Sequence, residues 1–462
     1  MAERGERARQ LVEGHIGRSV WFLAWPVVIQ SLLQVLIGTV DLKMVGYLGS
    51  EAIAAVGISR QIIMIIMILI LAVSTGATAM VARYCGRGEE DRAGQVAAQA
   101  LILCFLFSVV MIPAGLLSSE WMLVVLGAQP EVIELGLSYM NVFFLGVFFF
   151  LGNFMVKAIL HGAGDTKTPL IIQVLVNIVN IVGNYLLIFG VAFFPTLGVM
   201  GAAVASALSR LVGMVLGLIV LLNDRYGLAL SLKAFFRFRL LEMKQILKIG
   251  TPAALQGLAR NISTIILVGM IARTASQPAA VSAFSIGTKI TQYSLMPGLA
   301  VGTAATTLVG MSLGASDVSR AEESGWAATR IGVIIMTIFA LVSFIFAPQI
   351  VRFFVQDESV IEIGTWFIRI IALAEPFHAI GIVLAKGLQG AGDTRPPFYI
   401  TVISWLVVRT PLAYFLAFVL DLQSTGIWLA ISLSVVLQGI LMVIKFKEGS
   451  WKQIKVVTSS SQ

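Results

Sequence analysis

Asp41 ends a stretch of twenty-two residues, Ser19 to Val40, that contains no ionisable group. A carboxylate in such a setting has two readings. It takes and releases a proton at the edge of an apolar layer, or it sits at an outer interface paired with Lys43. Asn180 and Asn184, four residues apart, share one face of a helix, and Asn177 extends that stripe. Amides beside a carboxylate can coordinate sodium or hold a protonated acid by hydrogen bonds. The same amides can equally tie helices together. Ser206 is a further candidate oxygen donor, with a small packing residue as its other reading. Later in the chain Glu375 and His378, three apart, share a helical face and stand among Arg260, Lys289, Arg369 and Arg409. This group is either a second proton site or a salt-bridge network around a lone acid. Pro26 removes a backbone hydrogen bond from its helix. It lies fifteen residues before Asp41, about 22 Å along a helix, so it acts as a conformational hinge or a static kink without touching the acid.

Elements of a particular kind must carry these side chains. Of 462 residues, 58% are hydrophobic and 12% charged, and the mean hydropathy is +0.94. A soluble domain carries about 25% charge. Half of that cannot cover a chain this long, which excludes an ordinary cytosolic enzyme, a secreted disulfide scaffold and a disordered chain. Most of the surface must face a lipid bilayer. A crossing takes about 20 apolar residues, and twelve runs qualify: 19–46, 53–82, 93–118, 132–158, 168–190, 196–222, 246–271, 281–311, 322–347, 360–387, 396–419 and 424–446. The fold class is an all-α integral membrane protein of twelve transmembrane helices.

The net charge of +8 belongs to loops and anionic headgroups in such a chain, and nucleic acid is not an expected partner. Basic residues follow the second run (Arg83, Arg87, Arg92), the sixth (Arg225, Lys233, Arg237, Arg239, Lys244) and the tenth (Lys386, Arg395). The loops after runs three, five and eleven have no Lys or Arg. With the basic tail, Lys445 to Lys455, this places both termini in the cytoplasm. The charged start, Met1 to Gln10, lacks a cleavable signal pattern, so the first run is a retained span. Cys104, inside an apolar run, reads as a reduced packing residue. No Cys and His cluster has metal spacing.

The two halves repeat. Gly162-Ala-Gly-Asp-Thr-Lys-Thr-Pro169 returns as Gly390-Ala-Gly-Asp-Thr-Arg-Pro-Pro397, 228 residues on. Val73, Gly86, Arg92 and Ala93 meet Val301, Gly314, Arg320 and Ala321 at the same spacing, and Pro26 and Gln30 meet Pro252 and Gln256 at 226. Six spans against six gives two parallel repeats, a recurrent transporter design with a site near the midplane. At this spacing Asp41 falls on Gly269, and Asn177, Asn180 and Asn184 fall on Trp405, Val408 and Leu412. An acid needed for symmetric packing would have a counterpart; an acid that works in one half need not. Asp165-Thr166 and Asp393-Thr394 are expected to cap the helices that follow them.

The repeat, the two Gly-Ala-Gly-Asp-Thr blocks, Gln34-Val-Leu-Ile-Gly-Thr-Val-Asp-Leu-Lys-Met-Val-Gly-Tyr-Leu-Gly49 and Asn180-Ile-Val-Gly-Asn-Tyr-Leu-Leu-Ile-Phe-Gly190 resemble the multidrug and toxic compound extrusion (MATE) family over nearly the whole chain. The resemblance implies a V-shaped pair of lobes with a large central cavity. It also implies an antiporter that exports drug-like, often cationic compounds against inward proton or sodium flow. Asp41 matches the family's coupling acid of the first lobe, and sodium, if used, would sit at Asp41, Asn180 and Asn184. Many relatives carry Asp where this chain has Asn184, and Arg260 takes the position of an acid that some relatives use for sodium. A monomer in the cell (inner) membrane is expected. Its parts are a cytoplasmic segment 1–18, a first lobe 19–222, a linker 223–245, a second lobe 246–446 and a cytoplasmic tail 447–462. No cofactor beyond the coupling ion is implied.

Two alternatives stand beside this reading. A flippase for a lipid-linked saccharide would use Arg260, Lys289, Arg369 and Arg409 around a pyrophosphate head. A membrane-embedded enzyme would need a catalytic constellation at one depth. With three His (His15, His161, His378) and no repeated catalytic or metal pattern, the chain is not expected to be an enzyme.

Overall fold

The computed structural model describes residues 11, 13–191, 194–223, 230–454 and 456. The charged start through Gln10, Arg225 and Lys455 lie outside the described residues. All regular structure among the described residues is helical. The first half contains α1 (Ile16–Gly46), α2 (Ser50–Gly86), α3 (Glu90–Val125), α4 (Pro130–Leu145), α5 (Val147–Gly162), α6 (Lys167–Phe189) and α7 (Gly198–Leu222). The second contains α8 (Leu240–Ile271), α9 (Gln277–Gly314), α10 (Val318–Ile345), the short α11 (Ala347–Phe354), α12 (Glu358–Gly390), α13 (Arg395–Val419) and α14 (Gln423–Glu448). Eleven of these described helices are long and apolar enough to cross a membrane, and the bent pair α4–α5 makes a twelfth span.

Three expected elements differ in detail. The fourth span is not one helix: α4 and α5 meet at a 54° bend at Gly146. A Cβ there would lie 2.9 Å from Ala207 Cβ, so only glycine lets the corner approach α7. The eleventh span, α13, is an α-helix interrupted by π-helical turns at Val402–Val408 and Phe415–Val419. The segment after α14 packs back onto its own half. Trp451 is fully buried, stacks on Phe446 at 4.7 Å and donates its indole N–H to Phe446 O at 2.9 Å.

The described residues form two compact units, one within 26–250 and one within 11–25 and 251–456. The boundary falls at Pro26 in α1 and directly before Pro252 in α8. In the first unit the start of α8 crosses α2 at backbone contact. A Cβ on Gly250 would lie 1.5 Å from Ala72 O, and one on Gly76 would lie 2.0 Å from Ile246 O. In the second unit the core is built on Trp428, fully buried, stacked on Phe284 at 5.7 Å and edge-on to Phe367 at 4.7 Å. Cys85 and Cys104 are buried and unpaired.

The repeat is visible in matched hydrogen bonds. Thr78 Oγ1 donates to Ala158 O, and Thr306 Oγ1, 228 residues on, donates to Lys386 O, both at 2.9 Å. The turns also agree: Asp165 N–H reaches Leu160 O at 2.9 Å and Asp393 N–H reaches Leu388 O at 2.8 Å. One difference separates them. Asp165 Oδ1 accepts from the backbone N–H groups of Lys167 and Thr168, each at 3.1 Å, and so caps α6. The residues that would donate to Asp393 are Arg395 and Pro396, and proline has no N–H. Thr394 gives α13 no side-chain cap either, so the expected cap is absent in the second repeat among the described residues.

Candidate functional site

Helix α6 carries a polar stripe through an apolar span because Gln173, Asn177, Asn180 and Asn184 recur every three or four residues. All four are buried. A buried amide must find partners, and the stripe finds them on α1. Asn177 Nδ2 donates to Leu33 O at 3.2 Å, and Asn184 Nδ2 donates to Asp41 Oδ1 at 2.6 Å. Below them Gln30 Nε2 donates to Thr166 O at 3.0 Å. Helices α1 and α6 are thus joined at three levels.

The links continue sideways. Asn184 Nδ2 also reaches Asn180 Oδ1 at 3.3 Å, and Asn180 Nδ2 donates to Ser206 Oγ on α7 at 3.2 Å. Gln173 Nε2 donates to Asn177 Oδ1 at 2.6 Å, and its carbonyl accepts from Lys157 Nζ on α5. Asp41, Asn180, Asn184 and Ser206 therefore form one connected group. Asn184 Oδ1 is buried without a hydrogen-bond partner. Lys43 is exposed and forms no ion pair with Asp41 among the described residues. Pro26 lies inside an unbroken α1 and away from this group.

Asp41 opens into a cavity of about 130 Å³, lined also by Arg60, Tyr139, Phe143, Phe150, Ser206 and Arg210. The Arg210 guanidinium lies 5.2 Å from the Phe150 ring centre. Arg60 and Arg210 are the residues that sequence reasoning passes over. Each is the one charge in its apolar run (53–82 and 196–222), the same signal that marks Asp41, and it applies to bases as well as acids.

The second unit has its own cavity, of about 390 Å³, and it gathers Glu375, His378, Arg260 and Arg409. Glu375 Oε2 accepts from Ser294 Oγ at 2.9 Å, and Oε1 lies 3.8 Å from His378 Nδ1. Among the described residues Glu375 forms no ion pair with any arginine. Arg260 and Arg409 stack instead on the two-ring face of Trp405, 5.4 and 3.5 Å from its centre. Lys289 is exposed, and Arg369 turns to Phe344. The basic cluster is therefore divided, with two of its four members at the cavity.

No group of three or more His, Cys, Asp or Glu side chains among the described residues is placed to hold a metal. A polar cavity inside each of two repeated units of membrane-spanning helices defines a multi-pass transporter architecture. The MatE family profile matches residues 26–186 and 252–415, and the chain belongs to the MatE family. A probable multidrug resistance protein NorM from Thermotoga maritima is 29% identical over 441 residues, covering 94% of this chain and 93% of that one. Two solved structures superpose with a TM-score of 0.88. One is a MOP superfamily transporter from Pyrococcus furiosus, for which reverse polarity of the binding pocket suggests a different function (25% identity, 96% of this chain and 98% of that one). The other is an outward-facing multidrug resistance MATE family transporter of the same superfamily (26% identity, 96% and 98%). The family is one of transporters.

Proposed function

We propose that this chain is a secondary antiporter of the cell membrane that exports hydrophobic, often cationic compounds in exchange for inward protons, with Asp41 as the coupling group. The observation that carries this reading is the Asp41–Asn184 bond, made at the end of a charge-free span. An amide partner suits a group that changes protonation. Its NH2 donates to the carboxylate, and after a turn of the amide its carbonyl accepts from the carboxylic acid. A cationic drug and a proton then compete for one carboxylate, and the aromatic rings Tyr139, Phe143 and Phe150 receive the drug's apolar body.

A proton fits this donor set better than sodium does. Sodium needs several free oxygens at once, whereas Asn184 turns its Nδ2 to Asp41 and both Asn180 Oδ1 and Ser206 Oγ already accept hydrogen bonds. Protonation also replaces a hydrogen bond to a charged group, which contributes about 1.5–3 kcal/mol, by a neutral one near 1 kcal/mol. That loosens α1 from α6 at one of its three ties. Pro26, where α1 passes from one compact unit to the other, is the hinge at which the helix responds. The basic loops keep both termini cytoplasmic.

Purified protein in liposomes, loaded with a fluorescent cation and given pH and sodium gradients separately, tests the reading. Dye movement under the pH gradient alone is expected. Movement under sodium alone would reassign the ion, and none under either would defeat antiport.

A further inference from the structure

We propose that the cavity of the second unit is a binding site for an organic anion with an aromatic body, its charged head held by Arg409 and Arg260. The starting point is a register shift. In the first repeat Ser206 Oγ accepts from Asn180. Its counterpart 228 residues on is Ser434, whose Oγ accepts from Arg409 Nε at 2.7 Å. By sequence spacing the partner should be Val408. The π-helical turn Val402–Val408 adds one residue and brings Arg409 into that place instead. The acid has no counterpart either, since Asp41 falls on Gly269. The position that is acid plus amide in one repeat is a guanidinium in the other.

Among the described residues that guanidinium has no counter-ion. Arg409 is 2% exposed and lines the cavity, yet its Nη2 has no hydrogen-bond partner. Arg260, on the same wall, leaves Nε without one. Glu375 is engaged by Ser294 and His378, and it pairs with neither arginine among the described residues. Trp405 offers both cations a π face, which attracts them without satisfying their N–H donors. A buried charge without a partner is costly, and a bound carboxylate or sulfonate would supply both the charge and the acceptors. Guanidinium forks suit such planar or tetrahedral oxyanions.

The remaining wall selects the body of the ligand. Phe284, Phe367, Leu267 and Ile371 give the cavity an apolar side, and about 390 Å³ admits a small drug-sized molecule. Glu375 stands at the same wall and disfavours a second negative charge, so a singly charged aromatic acid fits best.

The test is equilibrium binding of tritiated p-aminohippurate, an aromatic carboxylate, to the full chain in phosphatidylcholine nanodiscs. Saturable binding is expected, with the uncharged methyl ester weaker by about tenfold or more, a difference of at least about 1.4 kcal/mol. Arg260→Gln and Arg409→Gln should each weaken the acid by a similar factor. Arg409→Gln also loses Ser434, and if it fails to fold, Arg260→Gln carries the test. The proposal is overturned by absent binding, by an ester that binds as well as the acid, or by unchanged affinity in folded Arg260→Gln. It is equally overturned if chloride displaces the probe at matched concentration, or if phosphatidylglycerol in the discs abolishes binding, which would make the site one for halide or lipid. The measurement uses no ion gradient, so its failure leaves the antiport reading intact, and the reverse holds too.

Discussion

Asn184 on α6 donates to Asp41 on α1 at 2.6 Å, and the same nitrogen reaches Asn180 at 3.3 Å, so one amide links the acid to the whole stripe. Asn184→Leu keeps the branched shape of the side chain and removes both bonds. It should cost about 1.5–3 kcal/mol, the range for a hydrogen bond to a charged group, and abolish gradient-driven uptake. Ser206→Ala removes a single neutral bond and should cost about 1 kcal/mol. Melting temperatures and liposome uptake of the two variants check this order; a larger effect from Ser206→Ala would contradict it.

The matched bonds of Thr78 and Thr306 give a test of the repeat. Thr78→Val and Thr306→Val each remove one hydroxyl that binds a carbonyl in the neighbouring helix. Each should lower stability by about 1 kcal/mol, with similar shifts in melting temperature. A shift in one alone would show that the two repeats do not share this tie energetically.

Asp165 and Asp393 occupy the same turn and should respond oppositely. Asp165→Ala removes the cap of α6 and should cost about 1 kcal/mol. Burial pushes the Asp393 carboxyl above its ordinary range, with Lys445 and Arg395 opposing and Glu448 adding to the shift. A raised folded value means that its stabilising contribution is present below the ordinary carboxylate range and lost as pH rises through that value. Asp393→Asn should therefore raise the melting temperature near pH 7, and the gain should vanish at about pH 4. Melting curves of parent and variant across that range measure it.

What composition and spacing reveal, and what they hide, differ in physical kind. The apolar runs and the stripe Asn177, Asn180, Asn184 are legible because helical periodicity is read over several turns. The repeat is legible because its glycines and turn residues are constrained by backbone geometry, as at Gly164 and Gly392, which share a positive φ. Single-residue shifts are not legible. The π turn that moves Arg409 onto Ser434 leaves no mark in hydropathy, and neither does the bend at Gly146, where a glycine among aromatics carries no proline signal. Arg60 and Arg210 are visible as charges, but their convergence on Asp41 comes from tertiary packing of α2 and α7.

Glu375 should matter for the second unit rather than for coupling. Glu375→Gln removes the charge beside His378 while leaving an acceptor for Ser294. A loss of about 1–3 kcal/mol is expected, with gradient-driven uptake retained in the protein that folds. A fully stable but uncoupled Glu375→Gln would move the coupling site to the second unit.

Asp41→Asn tests the coupling claim most directly, because it keeps the side chain's volume and hydrogen-bonding capacity while removing the titratable charge. The measurement is cation uptake into liposomes under an imposed pH gradient, with parent and variant reconstituted at equal density and matched for melting temperature. The expected result is a folded variant whose uptake does not exceed that of protein-free liposomes. Parent-level uptake by well-folded Asp41→Asn would contradict the assignment of Asp41 as the coupling group.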